Sequence, residues 1–305
     1  MPALKSIDTL VEDIYTVIRT KGGWDETVSE FMGRGLSDIL KQRFEGDPEE
    51  RAGSLRMSNM GTPCPRKLWY HLHRNSEGEA LPAPVLLKFF YGDLIELLVL
   101  SLAKASGHDV AGMQDELSIL GIKGHRDAVI DGVTVDVKSA APFSFEKFKG
   151  GLKKDDDAFG YLSQLSSYVY AGHQADPGRV HPHRGAFLVM QKVNGEVCLD
   201  QHWFDEELQG KEKEYRATIA MAAEDRPPAR GFNPIRDPAN AKAATDNGNR
   251  VLPLNCSYCD FKTVCHPSLR TFLYYGGKPK FFTTVAKLPK ATEVTPSFDN
   301  CPSCK

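Results

Sequence analysis

Residues 124–139, GHRDAVIDGVTVDVKS, constrain the chain more than any other stretch. Asp131-Gly132 is a dipeptide favoured in two-residue hairpin turns, whose central positions need positive φ. A turn there sets Ile130 against Val133, Val129 against Thr134, and Asp127 against Asp136. Strand alternation then puts Thr134, Asp136 and Lys138 on one face and Val133, Val135 and Val137 on the other. Two carboxylates and an ammonium therefore converge on one patch of an otherwise apolar strand pair. Directly opposed like charges weaken a hairpin by up to about 1 kcal/mol, and by more when dehydrated. A hard divalent cation, taking oxygen ligands at about 2.0–2.1 Å, would relieve the repulsion by bridging Asp127 and Asp136, with the carbonyl of Val137 as a further ligand. A solvated edge hairpin whose charges discourage strand-to-strand association is the other reading.

A second buried acid bears on that choice. Residues 86–106 read as a long helix, apolar on most faces and stopped by Gly107. Phe89, Gly92, Val99, Leu100 and Ala103 stand at helical spacing from Glu96, so its carboxylate sits in apolar surroundings and needs a partner. Lys104 at the helix rim would supply one. Joining Asp127 and Asp136 as a third metal ligand is the alternative.

Around this centre the chain reads as a mixed α/β protein. Residues 5–20 and 26–46 are helical by spacing, separated by Gly22-Gly23, and a further helical turn follows TPCP at 66–72. Strands are expected at 116–122, 126–130 and 133–139. A helix in DDDAFGYLSQLSSYVYAG is opened by acids and closed by Gly172. GAFLVMQKV and EVCLDQHWF then flank Asn194-Gly195 as a strand pair, and 205–224 is another helix before a long irregular connection. These elements divide into an N-terminal helical region at 1–84, a core at 85–225 and a cysteine-rich segment at 226–305.

Length and composition narrow the class. With 305 residues, 41% hydrophobic and 26% charged, the chain can bury a substantial core. The 38 basic and 40 acidic residues nearly cancel, so a polyanionic partner must be met by a local groove. No basic leader precedes an apolar block and no apolar run is long enough to span a membrane, which points to a cytoplasmic protein. In that compartment seven cysteines favour metal ligation or plain burial over disulfides.

Taken together, these residues resemble the PD-(D/E)xK nuclease superfamily, in its RecB-like branch. The pattern falls on Glu96 in YGDLIELL, Asp127 in GHRDAV, Asp136 and Lys138 in VDVKS, and Gln164 and Tyr168 in YLSQLSSYVYA, in the order the family uses. Two departures are Asp136, where glutamate is common, and Glu96, where many RecB-like members have histidine. The resemblance implies a restriction-endonuclease-like core, a mixed central sheet flanked by helices, with N-terminal helices and a C-terminal cysteine-rich cluster segment. It further implies that Glu96, Asp127 and Asp136, with the Val137 carbonyl, hold magnesium or manganese, that Lys138 orients the attacking water and steadies charge on the phosphate, and that Gln164 and Tyr168 position the strand. Tyr161 joins their helix face but reads as core packing.

Cys64, in TPCPRK, and Cys256, Cys259 and Cys265, in a C-x2-C-x5-C pattern, resemble the four ligands of RecB-like nucleases that carry an iron-sulfur cluster, including CRISPR-adaptation and AddB-type members. Four thiolates suit a [4Fe-4S] cluster. Cys301 and Cys304 with Cys256 and Cys259 offer a zinc ribbon instead, while Cys198 reads as a small buried hydrophobe. The function implied is a metal-dependent DNA nuclease, a DNA-end-processing exonuclease in recombination, repair or phage DNA metabolism. Its partners would be DNA ends or single-stranded segments and a recombination protein such as an annealing protein or helicase. Arg66, Lys67, Lys147, Lys149, Lys153 and Lys154 are candidates for backbone contacts. No phosphate-binding motor motif G-x-x-x-x-G-K-[ST] occurs, which favours a freestanding nuclease over a helicase fusion. The alternative is a non-catalytic DNA-binding or assembly subunit with a structural zinc or iron-sulfur site.

Overall fold

The computed structural model describes residues 5–45, 53–238, 245–274 and 279–294. Two compact units result, one from residues 1–62 and 81–224, the other from 63–80 and 225–305. The chain thus leaves the first unit after α1 (Leu10–Thr20), α2 (Glu26–Phe44) and α3 (Met57–Met60), contributes α4 (Pro65–His73) to the second, and returns.

On its return the chain forms α5 (Ala83–Ala105), β1 (Val110–Ala111), β2 (Glu116–Ile119), β3 (Ile122–His125), β4 (Ala128–Ile130) and β5 (Val133–Ala140). Helices α6 (Pro142–Lys149) and α7 (Tyr161–Ala175), strands β6 (Arg184–Gln191) and β7 (Val197–Trp203), and helices α8 (Glu206–Gln209) and α9 (Lys211–Ala222) complete this unit. Its central sheet has the order β1-β4-β5-β6-β7. Only β5 and β6 run parallel; the other pairs are antiparallel. This is an α/β protein with a mixed central sheet and flanking helices.

Alternation along β5 and β6 separates two cores. Val133, Val135, Val137, Ala186 and Leu188 pack with Leu10 and Ile14 of α1 and with Val99, Leu100 and Ala103 of α5. Phe187 and Val189 face the other way, into a cluster with Phe145 and Phe148 of α6 and Leu165 and Val169 of α7. Asp136 pairs with Phe187 and Lys138 with Val189 in register, so both charged residues belong to the α6–α7 face.

The hairpin takes the expected register, Ile130 opposite Val133 and Val129 opposite Thr134. Asp131 (φ 48°) and Gly132 (φ 82°) supply the two positive φ angles of its turn. Elsewhere the structure corrects the sequence reading. The strand expected at 116–122 is a separate hairpin of β2 and β3, reversed at Leu120 (φ 50°) and Gly121 (φ 81°). Gly172 lies inside α7 instead of ending it, because its missing side chain admits the guanidinium of buried Arg126. The helix expected at 205–224 breaks at Gly210.

In the second unit β8 (Ile235–Arg236), β9 (Arg250–Val251), β10 (Arg270–Leu273), β11 (Pro279–Thr284) and β12 (Thr292–Val294) form a small sheet in the order β12-β10-β11-β9-β8. The one-turn helices α10 (Leu254–Ser257) and α11 (Lys262–Cys265) precede β10. Val251, Phe272 and Phe282 are its buried centre. Each strand is short and carries little alternation, so none is expected here from sequence. Among the described residues, no helix is long and apolar enough to cross a membrane.

Candidate active site

Four elements of the first unit bring the candidate residues together. Asp127 sits one residue before β4, and its Oδ2 accepts the backbone N–H of Val137 at 2.7 Å. That bond fixes Asp127 beside the strand position between Asp136 and Lys138. Asp136 is 4% exposed, and the Lys138 ammonium stands 2.5 Å from its Oδ2. The two form a charge-assisted pair on the α6–α7 face of β5.

Helix α5 brings Glu96 to the same place. Burial, before any other cause, pushes its carboxyl up from 4.5 to about 7, and Asp136 and Asp93 add to the rise. The expected alternative partner, Lys104, instead lies over the ring of Phe31 at 5.8 Å. Burial likewise drives the Asp127 carboxyl well above its ordinary range, with Asp136 and then Glu96 as the like charges behind it. Burial opposes charge on Lys138, yet Asp136 and Asp127 outweigh it and raise the ammonium. Lys138 therefore stays protonated as a charged hydrogen-bond donor, and its Nζ lies 5.0 Å from the Tyr161 ring centre.

Helix α7 lines the other side. Three backbone N–H groups, of Gly160, Tyr161 and Leu162, converge on the carboxylate of Asp157 at 2.9, 2.9 and 2.8 Å. This anion holds the helix N-terminus. Four residues apart on α7, Gln164 hydrogen-bonds the hydroxyl of Tyr168, whose own ionisation is suppressed first by burial and then by Asp136 and Asp127. Tyr168 is thus a neutral donor beside the acids, as well as part of the core against Met57 and Leu117.

One participant escaped the sequence reading. Gln114, in the turn between β1 and β2, donates from Nε2 to Oε1 of Glu96 at 2.8 Å. A lone glutamine in a loop has neither periodicity nor spacing to mark it. The proposed basic contacts are dispersed: Lys149 pairs with Glu196 at 2.6 Å, Lys147 donates to the Asp156 carbonyl at 3.0 Å, and Lys153 and Lys154 are exposed. Arg66 and Lys67 belong to the second unit.

In that unit Cys64, Cys256, Cys259 and Cys265 line one cavity, shared with Arg66, Lys67, Arg230 and Lys262. All four are free thiols and half-buried. Burial pushes the Cys256 thiol up to about 12, and Cys64, Cys259 and Cys265 contribute. Soft sulfur donors around one cavity ringed by cations suit an anionic thiolate cluster. Cys301 and Cys304, the other half of the zinc ribbon, lie outside the described residues. Cys198 is half-buried against the α6–α7 core. Among the described residues, no group of three or more His, Cys, Asp or Glu side chains is placed so as to hold a metal ion.

No family model matches this chain, and neither does any curated protein. Among solved structures it is similar to the crystal structure of SSO0001, at 15% sequence identity and a TM-score of 0.40, over 75% of this chain and 95% of that one.

Proposed function

We propose that the protein is a metal-dependent DNA nuclease of the PD-(D/E)xK type, with a restriction-endonuclease-like core and an exonuclease's preference for DNA ends. The observation that carries the reading is the convergence of Glu96, Asp127 and Asp136 on Lys138 at the edge of the hairpin, with two of the carboxyls resisting ionisation. Carboxylates so crowded are stabilised by a cation. The donor set is all oxygen, three carboxyls of which two resist ionisation, so the residues fit a hard cation such as magnesium or manganese.

Glu96, Asp127 and Asp136, with the Val137 carbonyl, would hold the ion. When bound, it supplies Lewis acidity to the scissile phosphate and lowers the pKa of the attacking water. The chain's own residues do the rest. Lys138, a charged donor, orients that water and offsets charge growing on the phosphate oxygens. Gln164 and Tyr168 present an amide and a neutral hydroxyl along one helix face to position the strand. In the second unit, Cys64 and the three later cysteines would hold a [4Fe-4S] cluster that joins residues 63–80 to 225–305 and stabilises this part of the fold.

The test is an assay on linear and circular DNA labelled at either end, single- and double-stranded, with magnesium or manganese. Cleavage is expected for the unaltered protein and should disappear in both Asp136→Asn and Lys138→Ala; cleavage persisting in both variants would sink the assignment.

A further inference from the structure

The turn between β1 and β2 is built with more care than an exposed loop needs. Gln114 adopts a left-handed backbone (φ 52°), as does Gly112 (φ 56°). Left-handed φ is uncommon outside glycine and costs free energy unless surrounding contacts enforce it. The enforcing group here is Arg126, only 4% exposed. Its Nε donates to the Gly112 carbonyl at 3.0 Å and its Nη2 to Asp115 at 2.7 Å, while its backbone N–H donates to the Asp115 carbonyl at 3.3 Å. A rigid guanidinium fork thus grips both ends of the turn. Arg126 immediately precedes Asp127 in the chain, so the grip also locates the turn against the start of β4.

Held this way, Gln114 makes two bonds to residues of the site. Its backbone N–H donates to the Asp127 carbonyl at 3.4 Å, and its side-chain amide donates to Glu96 Oε1 at 2.8 Å. Glu96 comes from α5 and Asp127 from the hairpin, so their carboxyls need a common anchor to keep a fixed separation.

We propose that Gln114 is a positioning residue for the candidate metal site, fixing Glu96 relative to Asp127 and leaving Oε2 of Glu96 to meet a divalent cation. This rests on the metal-site reading above. Partners behind first ligands typically contribute about 10–100-fold in metal affinity, because they restrict the ligand to its binding orientation.

The probe is Mn2+, titrated into the full chain after stripping with chelator, with the free ion followed by electron paramagnetic resonance. Asp136→Asn sets the background. Gln114→Ala removes the amide; Gln114→Asn keeps an amide and tolerates the left-handed backbone, but is one methylene too short to reach Glu96. Both are expected to weaken Mn2+ binding by about 10-fold or more, with the unfolding temperature of the metal-free protein unchanged. Affinity retained in either variant overturns the positioning role. If the unaltered protein binds no more Mn2+ than Asp136→Asn, the metal-site reading fails, and this inference with it. A fall in affinity accompanied by a fall in unfolding temperature also overturns it, marking Gln114 as merely structural.

Discussion

Asp127 Oδ2 accepts the backbone N–H of Val137 at 2.7 Å, tying the acid before β4 to the strand residue between Asp136 and Lys138. The bond spends one lone pair of Asp127 on holding the hairpin together. Its remaining acceptor capacity faces a patch already occupied by Asp136 and Glu96, and the electrostatic consequences follow from that crowding.

The first is a dependence of stability on pH. Glu96 has a folded-state pKa raised from 4.5 to about 7. Below pH 4.5 both folded and unfolded chains hold this proton and the group contributes nothing. As pH rises, the unfolded chain releases it while the folded one retains it, so stability falls until about pH 7, by on the order of 3 kcal/mol in total. Asp127, raised for the same reasons, acts in the same direction. Urea unfolding in chelator across this range should show the decline, Glu96→Gln should flatten it, and saturating Mn2+ should restore stability above pH 7. Metal-free stability that stays level from about pH 5 to about pH 7 would contradict the crowding.

Lys138 and Asp136 are coupled as a largely buried pair. Truncating one partner strands the other, and Lys138→Ala should cost about 2–4 kcal/mol in metal-free stability. The double variant Asp136→Asn with Lys138→Ala should lose less than Lys138→Ala alone, because no charge is left uncompensated. Denaturant midpoints of the four proteins in a double-mutant cycle give the coupling directly.

At the start of α7, Asp157 receives three backbone N–H groups. Asp157→Ala should lower stability by about 1–2 kcal/mol through loss of this cap. It should also slow DNA cleavage, since Gln164 and Tyr168 are placed by the first turns of the same helix. Thermal unfolding and single-turnover cleavage measure the two effects, and Asp157→Asn should recover part of both.

For the cysteines, anaerobically purified protein is expected to be brown and to contain iron and acid-labile sulfide. Cys64→Ser and Cys256→Ser should each abolish that colour and make residues 225–305 susceptible to limited proteolysis. Cys301→Ser with Cys304→Ser should leave the iron content unchanged. A colourless protein that contains zinc and loses it in this double variant would favour the ribbon.

Local signals were enough for much of the first unit. The Asp131-Gly132 turn and the alternation of Val133, Val135 and Val137 fixed the register of β4 and β5, because a two-residue turn admits few pairings and a buried face tolerates no slip. The run around Glu96 is apolar enough to specify a long helix and to make that acid conspicuous. What tertiary structure alone decided lies where the chemistry depends on elements distant in sequence. Gln114 reaches Glu96 from a turn that Arg126 grips; Gly172 continues α7 because a buried guanidinium needs the room; and Cys64 shares a cavity with Cys256, Cys259 and Cys265, far from it in sequence. The short strands of the second sheet are also of this kind, each too brief to declare itself and defined by ladder bonds to the next. Periodicity and turn chemistry are properties of neighbouring residues and can be read along the chain, whereas these contacts are set by which surfaces the packed helices and sheets bring face to face.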